Sequence, residues 1–161
     1  MRDHHYWTRD SNGNILQRAI ALETALRSLT PHLQRISQVG LGIFLTSAGY
    51  SHLTVNRIAF QAQVPTWLPL DPDFVVLASG AVEILLGAAL LLLWRARAQV
   101  GLVVALFFIA IFPGNINQFV NGIDAFGLNT DMLRGARLLF QPVLVLWALW
   151  STGALSVVRR R

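Results

Sequence analysis

Apolar residues gather in four stretches, 36–54, 74–94, 100–120 and 134–155, each separated from the next by polar or proline-bearing segments. A hydrocarbon core of about 30 Å needs about 20 apolar helical residues to cross it, and each stretch is close to that length. The pattern predicts an all-α fold: an integral membrane four-helix bundle with an N-terminal amphipathic helix. Residues 95–99 are too few for anything but a tight connection, so the second and third helices are predicted to be antiparallel neighbours.

Upstream of the first stretch the period changes. Ile15, Ala19, Leu22, Leu26, Leu29, Leu33 and Ile36 recur at alternating steps of four and three, which makes a narrow apolar stripe on a helix. Glu23 and Arg27 stand four apart on its polar face, a favourable pairing. The stripe suits a helix on the cytoplasmic membrane surface. Its heptad spacing also suits a partner helix, but Pro31 interrupts it and weakens that reading. The chain therefore divides into a cytoplasmic arm (1–35), a four-helix membrane domain (36–155) and a basic cytoplasmic tail (156–161).

Composition supports a membrane protein: 54% of the 161 residues are hydrophobic and 13% are charged, well below the roughly 25% charged of soluble domains. A net charge of +5 raises nucleic acid as a partner. The placement of the basic residues argues against it, because all are arginines beside apolar runs, where they act as topology signals. With the N-terminus inside, the cytoplasmic segments hold Arg2, Arg9, Arg18, Arg27, Arg35, Arg95, Arg97, Arg159, Arg160 and Arg161, against Arg57, Arg134 and Arg137 outside. This bias places the chain in the cell membrane as a multi-pass protein with both termini cytoplasmic. The absence of cysteine removes disulfides, thiol redox chemistry and thiolate metal ligation, and no metal site is predicted.

The polar residues inside the apolar stretches share a depth. Glu83 lies ten residues after Asp73, about 15 Å along the helix and near the midplane. A carboxylate at that depth faces the bundle interior or a water-filled cavity, either hydrogen-bonded across helices as a neutral acid or handling protons or ligand. His52, with Tyr50 half a turn below it, lies about 22 Å up the first helix from Ser37, and Asn115 a similar distance up the third from Val100. Arg137 and Gln141 follow Arg134 on one face of the fourth. The expectation is one outward-facing pocket lined by His52, Glu83, Asn115, Arg137 and Gln141, with Tyr50 beside it. The segment 55–73, with Pro65, Pro69, Pro72 and Trp67, is predicted to lie at the outer interface or to cap that cavity. In FPGNINQF (112–119), Pro113 is predicted to kink the third helix. Asn115 and Asn117 would serve the carbonyls it frees, with Asn115 facing the pocket and Asn117 the interface.

The runs GIFLTSAGYSHL, VPTWLP, SGAVEILLGAALLLLWRARAQ, FPGNINQF and RLLFQPVLVLWALW resemble the DoxX family of small four-helix membrane proteins over about residues 38–150. His52 closing the first helix and Glu83 between glycines carry the resemblance. So do the run Phe112, Pro113, Gly114, Asn115 and the run Arg137, Leu138, Gln141, Pro142. Gly114 stands where that pattern has alanine. The resemblance implies association with a membrane oxidoreductase and with oxidative-stress responses.

Two functions compete on these residues. In the first, the chain is a subunit associated with a membrane oxidoreductase and binds a quinone-like small molecule in the outer-half pocket. There Glu83 and His52 relay protons, and Arg137 or Asn115 orients a carbonyl. In the second it is a non-catalytic accessory or assembly subunit of a larger complex, and the same residues form a structural network. The chain has no dinucleotide fingerprint and no second in-span histidine for a haem, so at most it is one subunit of an enzyme.

Overall fold

The computed structural model describes residues 11–158, with no account of the side chains of residues 11–16, 27 and 158. The predictions for Ile15, for the Glu23–Arg27 pair and for the arginines at 2, 9 and 159–161 lie outside these. The described chain is wholly helical: α1 (Ser11–Leu53), α2 (Arg57–Gln61), α3 (Pro72–Leu92), α4 (Arg97–Val120), α5 (Asp131–Ser151) and α6 (Ala154–Val158). It divides into two units, Met1–Leu33 and Gln34–Arg161.

In the first unit the helix runs through Pro31 without ending there. Leu22, Leu26, Leu29 and Leu33 of its stripe are exposed. Thr24 and Thr30 turn their hydroxyls back onto the carbonyls of Ile20 and Leu26, each at 2.8 Å.

The second unit is a bundle of α3, α4, α5 and the C-terminal part of α1. Asp71 accepts from the Phe74 amide at 2.9 Å and starts α3, with Pro72 at its first position. Thr130 accepts from the Leu133 amide at 3.3 Å and starts α5. These caps satisfy amides that have no partner within the helix. α1 packs on α3 through glycines spaced seven apart on both helices. A Cβ on Gly49 would stand 2.5 Å from the Gly80 carbonyl oxygen, and one on Gly87 would stand 2.7 Å from that of Gly42. Only glycine lets the two backbones come so near. Two glutamines one turn apart on α1 serve carbonyls near the ends of other helices. Gln38 donates to the Leu90 carbonyl of α3 at 2.7 Å, and Gln34 donates to the Trp150 carbonyl of α5 at 2.9 Å. The Leu90 carbonyl stands in the last turn of α3, where intrahelical donors run out, and that of Trp150 also accepts from the Gly153 amide at 3.1 Å.

Among the described residues three helices are long and apolar enough to cross a membrane: Pro72–Leu92, Trp94–Val120 and Asp131–Ser151. The predicted first span, 36–54, is not among them. It falls short because Ser37, Gln38, Thr46, Ser47, Ser51 and His52 dilute its apolar content, and Ser37, Gln38 and His52 are spent on contacts inside the bundle.

The polarity of the unit is inverted. Leu85, Leu92, Leu106, Ile109, Leu139 and Leu146 are exposed, whereas Gln38, Glu83, Asn115, Gln118 and Gln141 are buried. The apolar core of Leu41, Leu45, Leu90, Val104, Phe108, Leu144 and Ala148 fills one end of the bundle. Of the buried polar groups, His52, Glu83, Asn115, Asn117, Gln118 and Gln141 lie toward the end that carries α2, while Gln38 and Ser151 lie toward the other.

Candidate functional site

His52 sits in the last turn of α1, where the close glycine packing presses it against α3: a Cβ on Gly80 would lie 2.7 Å from the His52 Cβ. Its Nδ1 is 3.0 Å from Ser79 Oγ, and Ser79 Oγ is in turn 3.0 Å from the Val76 carbonyl oxygen, to which it donates. With the serine proton spent on Val76, the imidazole proton is assigned to Nδ1, which donates to Ser79. The Nε2 lone pair then faces Glu83 Oε2 at 3.6 Å. His52 is 8% exposed and Glu83 5%. The glutamate Oε2 has no hydrogen-bond partner. One proton on the carboxyl, or one shared with Nε2, keeps this pair neutral overall, which its burial favours.

The pair lines a cavity of about 230 Å³. Val76, Ile111 and Pro113 supply apolar walls from α3 and α4, and Phe60, Val64 and Trp67 close it from the segment after α1. That proline-rich segment is pinned at both ends. Arg57 forks onto Asp73, donating from Nε at 2.6 Å and also from Nη2, and Gln61 donates to the same carboxylate at 3.0 Å. The Asp73 carboxylate holds the Arg57 guanidinium above its ordinary range. In its middle Gln63 donates to Gln118 at 3.2 Å, and a Cβ on Gly114 would lie 2.6 Å from the Gln63 carbonyl oxygen. The segment thus forms a wall of the cavity, the capping role that its prolines left open.

Asn115, Arg137 and Gln141 form a second group beside the first. Arg137 Nε donates to Asn115 Oδ1 at 3.1 Å, Asn115 Nδ2 donates to Gln141 Oε1 at 2.9 Å, and Gln141 Nε2 donates to the Phe108 carbonyl at 2.6 Å. Gln141 of α5 thus brings a side-chain donor to the α4 backbone at Phe108, one residue before the Ile109 carbonyl that Pro113 leaves without its helical donor. Asn117 is buried and accepts from Asn121 at 2.9 Å, so it does not meet the interface as expected. None of these three residues lines the cavity of His52 and Glu83. Aromatic rings join the two groups: the Arg137 guanidinium lies 4.9 Å over Phe126, Phe126 stands edge-on to Phe60 at 4.5 Å, and Phe60 lies 3.5 Å from the His52 ring. Phe126 holds φ +57, a left-handed conformation that a bulky residue rarely adopts. Tyr50 is 63% exposed and belongs to neither group.

Arg134, expected only as a topology signal, is buried and ties down the α4–α5 connection. It donates to Asp124 at 2.6 Å, to Asp131 at 2.8 Å and to the Leu128 carbonyl at 3.1 Å. Sequence reasoning missed Ser79, Phe60, Gln118 and Phe126. Ser79 was within reach, since it precedes Glu83 by one turn on the same face. Among the described residues no cluster of three or more His, Cys, Asp or Glu could hold a metal ion.

Residues 41–152 match a family described as a domain of unknown function, DUF8561, and the chain belongs to that family. This overturns the resemblance to the DoxX family. The motifs that carried it are short: a histidine ending a helix, a glutamate between glycines, a proline near asparagine. They answer packing needs that many helical bundles share, and so do not single out one family. No curated protein and no solved structure matches the chain.

Proposed function

We propose that this member of the DUF8561 family is a four-helix integral membrane protein with both termini cytoplasmic. We propose further that it binds a small, largely apolar carbonyl compound of the quinone type in the cavity of His52 and Glu83. The inverted polarity supports the first part. An apolar perimeter with buried glutamine, asparagine and glutamate suits a chain whose solvent is lipid. The C-terminal part of α1 is then the fourth span, with Ser37, Gln38 and His52 turned to protein. The arginine bias sets the orientation and puts the cavity in the outer half.

One observation carries the second part: a buried carboxyl oxygen without a partner faces a cavity with mostly apolar walls. A volume of about 230 Å³ is below the roughly 300–1,000 Å³ of drug-sized pockets, and it suits a single substituted ring. Glu83, protonated, donates to a ring carbonyl, and His52 Nε2 holds or replaces that proton. The chain supplies binding and a proton, and electrons come from a partner, so the association with a membrane oxidoreductase now rests on cavity chemistry alone.

Extraction of the detergent-purified chain with organic solvent, followed by mass spectrometry, tests this. Glu83→Leu removes the donor of a neutral buried hydrogen bond worth about 0.5–1.5 kcal/mol, and should lower the affinity for the co-purifying ligand about two- to tenfold. Equal ligand in wild type and Glu83→Leu refutes the reading. The second reading, an accessory subunit, is favoured by the exposed stripe of Leu22, Leu26, Leu29 and Leu33 on the arm. A stoichiometric protein partner retained by Glu83→Leu, with no bound small molecule, would select it.

A further inference from the structure

The charges of the Gln34–Arg161 unit are divided between its ends. Asp71 and Asp73 start α3, and Asp124 and Asp131 flank the α4–α5 connection, all at the end that carries α2. Two arginines of that end are neutralised there, Arg57 by Asp73 and Arg134 by Asp124 and Asp131. The opposite end carries Arg35, Arg95 and Arg97, and among the described residues none of the three has a carboxylate partner. Arg97 differs from the other two in being half-buried.

Its position is built. Gly101, one turn into α4 from Arg97, lies so close to the end of α5 that a Cβ would fall 1.9 Å from Thr152 Oγ1. The chain then turns at Gly153, where φ is +75, and the Arg97 Nη2 stands 3.9 Å from where a Gly153 Cβ would be. Gln34 holds the Trp150 carbonyl from the other side at 2.9 Å. Between them lies a groove of about 680 Å³ bordered by Gln34, Arg97, Trp150, Thr152 and Ser156. Among the described residues its one charged side chain is a cation, Arg97, and Trp150 at its rim is the residue type that settles at headgroup depth.

We propose that this groove binds the phosphate of an anionic phospholipid of the cytoplasmic leaflet, with Arg97 as its charged contact. The inference rests on the membrane reading above. A guanidinium matches two phosphate oxygens with a pair of parallel hydrogen bonds. Basic pockets between helices on the cytoplasmic side are suited to anionic headgroups. The apolar perimeter next to the groove gives the acyl chains a surface.

The test uses the full chain. Flotation with phosphatidylcholine vesicles comes first, and failure to float overturns the membrane reading itself. Thermal stability is then titrated with phosphatidylglycerol, phosphatidylcholine and inorganic phosphate. The wild type should be stabilised by phosphatidylglycerol well below the concentration of phosphatidylcholine that does so. Arg97→Gln should weaken the phosphatidylglycerol response about fivefold, the effect of one basic residue near an anionic surface. Arg97→Lys should lose less. A chain that floats but shows no preference for phosphatidylglycerol overturns the inference, and this reading needs no variant if Arg97→Gln does not fold. Equal responses of wild type and folded Arg97→Gln also overturn it. Inorganic phosphate matching phosphatidylglycerol would make the groove a free-anion site and overturn the lipid assignment.

Discussion

Replacing Gly49 with alanine asks whether the glycine contact between α1 and α3 sets the position of His52. The added Cβ would meet the Gly80 carbonyl oxygen at 2.5 Å, Ile84 Cγ1 at 2.8 Å and Glu83 Cβ at 3.0 Å. Ordinary contact begins near 3.4 Å, so the two helices must part by about 0.9 Å in a closely packed interior. The nearest atom is backbone, and no side-chain rotation relieves it. Overpacking of this kind costs about 1–3 kcal/mol. Against it stands the gain of replacing a helical glycine, about 0.5–1 kcal/mol. The balance is a net loss of roughly 1–2 kcal/mol, which for a chain of this size lowers the melting temperature by about 2–8 °C. Gly40→Ala on the same helix is the internal control. Its Cβ meets only Trp147 Cζ2, at 3.8 Å, so it should be neutral or should raise the melting temperature by about 1–4 °C. Thermal unfolding of both variants in one detergent, followed by tryptophan fluorescence, makes the comparison. A Gly49→Ala protein as stable as Gly40→Ala would refute the close approach of the two helices and, with it, the account of how His52 meets α3.

Gln141→Leu should destabilise the bundle by about 2–4 kcal/mol, because it leaves both the Asn115 amide and its own former site at the Phe108 carbonyl short of a partner; chemical denaturation in detergent reads this. Arg57→Gln should leave the melting temperature nearly unchanged, since the fork onto Asp73 is about two-fifths exposed and such pairs contribute at most about 1 kcal/mol. Gly114→Ala drives a Cβ to 2.6 Å from the Gln63 carbonyl oxygen and should displace the wall at Val64 and Trp67. A Trp67 fluorescence shift in a variant whose other tryptophans are phenylalanine measures it.

The helices were legible in the sequence because their signals are local. Length and apolar content mark α3, α4 and α5, and Asp71 and Thr130 fix two starts. The end of the first span was less legible. No local pattern says what its polar residues or those just before it are for: Gln34 and Gln38 are explained only by the carbonyls of Trp150 and Leu90, 116 and 52 residues away. The depth reasoning drew His52, Glu83, Asn115, Arg137 and Gln141 to one level. It could not separate them into two groups, because the separator is Phe126 in a connection of unusual backbone shape. No local pattern announces a phenylalanine at φ +57. The proline-rich segment was ambiguous for a related reason: its place as a wall depends on Gly114 and Gln118, in another helix.

That separation decides which residues should meet a ligand. Around Asn115 every bond named between side chains is made: Arg137 gives to its oxygen, its amide gives to Gln141, and Gln141 gives to Phe108. A ligand there would have to break bonds already formed, and displacing a satisfied buried donor costs what the new bond returns. Around Glu83 the balance is the reverse, since Oε2 has no partner, His52 Nε2 stands at 3.6 Å, and a cavity adjoins both. A ligand carbonyl there supplies a missing acceptor and displaces little. Glu83→Leu and Asn115→Leu should therefore differ in kind. The first removes bound ligand while sparing stability, because it exchanges an unpaired buried carboxyl for a well-packed apolar side chain. The second loses stability, and ligand only through the shift of Arg137, Phe126 and Phe60 against His52. If Asn115→Leu released the ligand at unchanged stability while Glu83→Leu kept it, the candidate site would have to move across the aromatic stack.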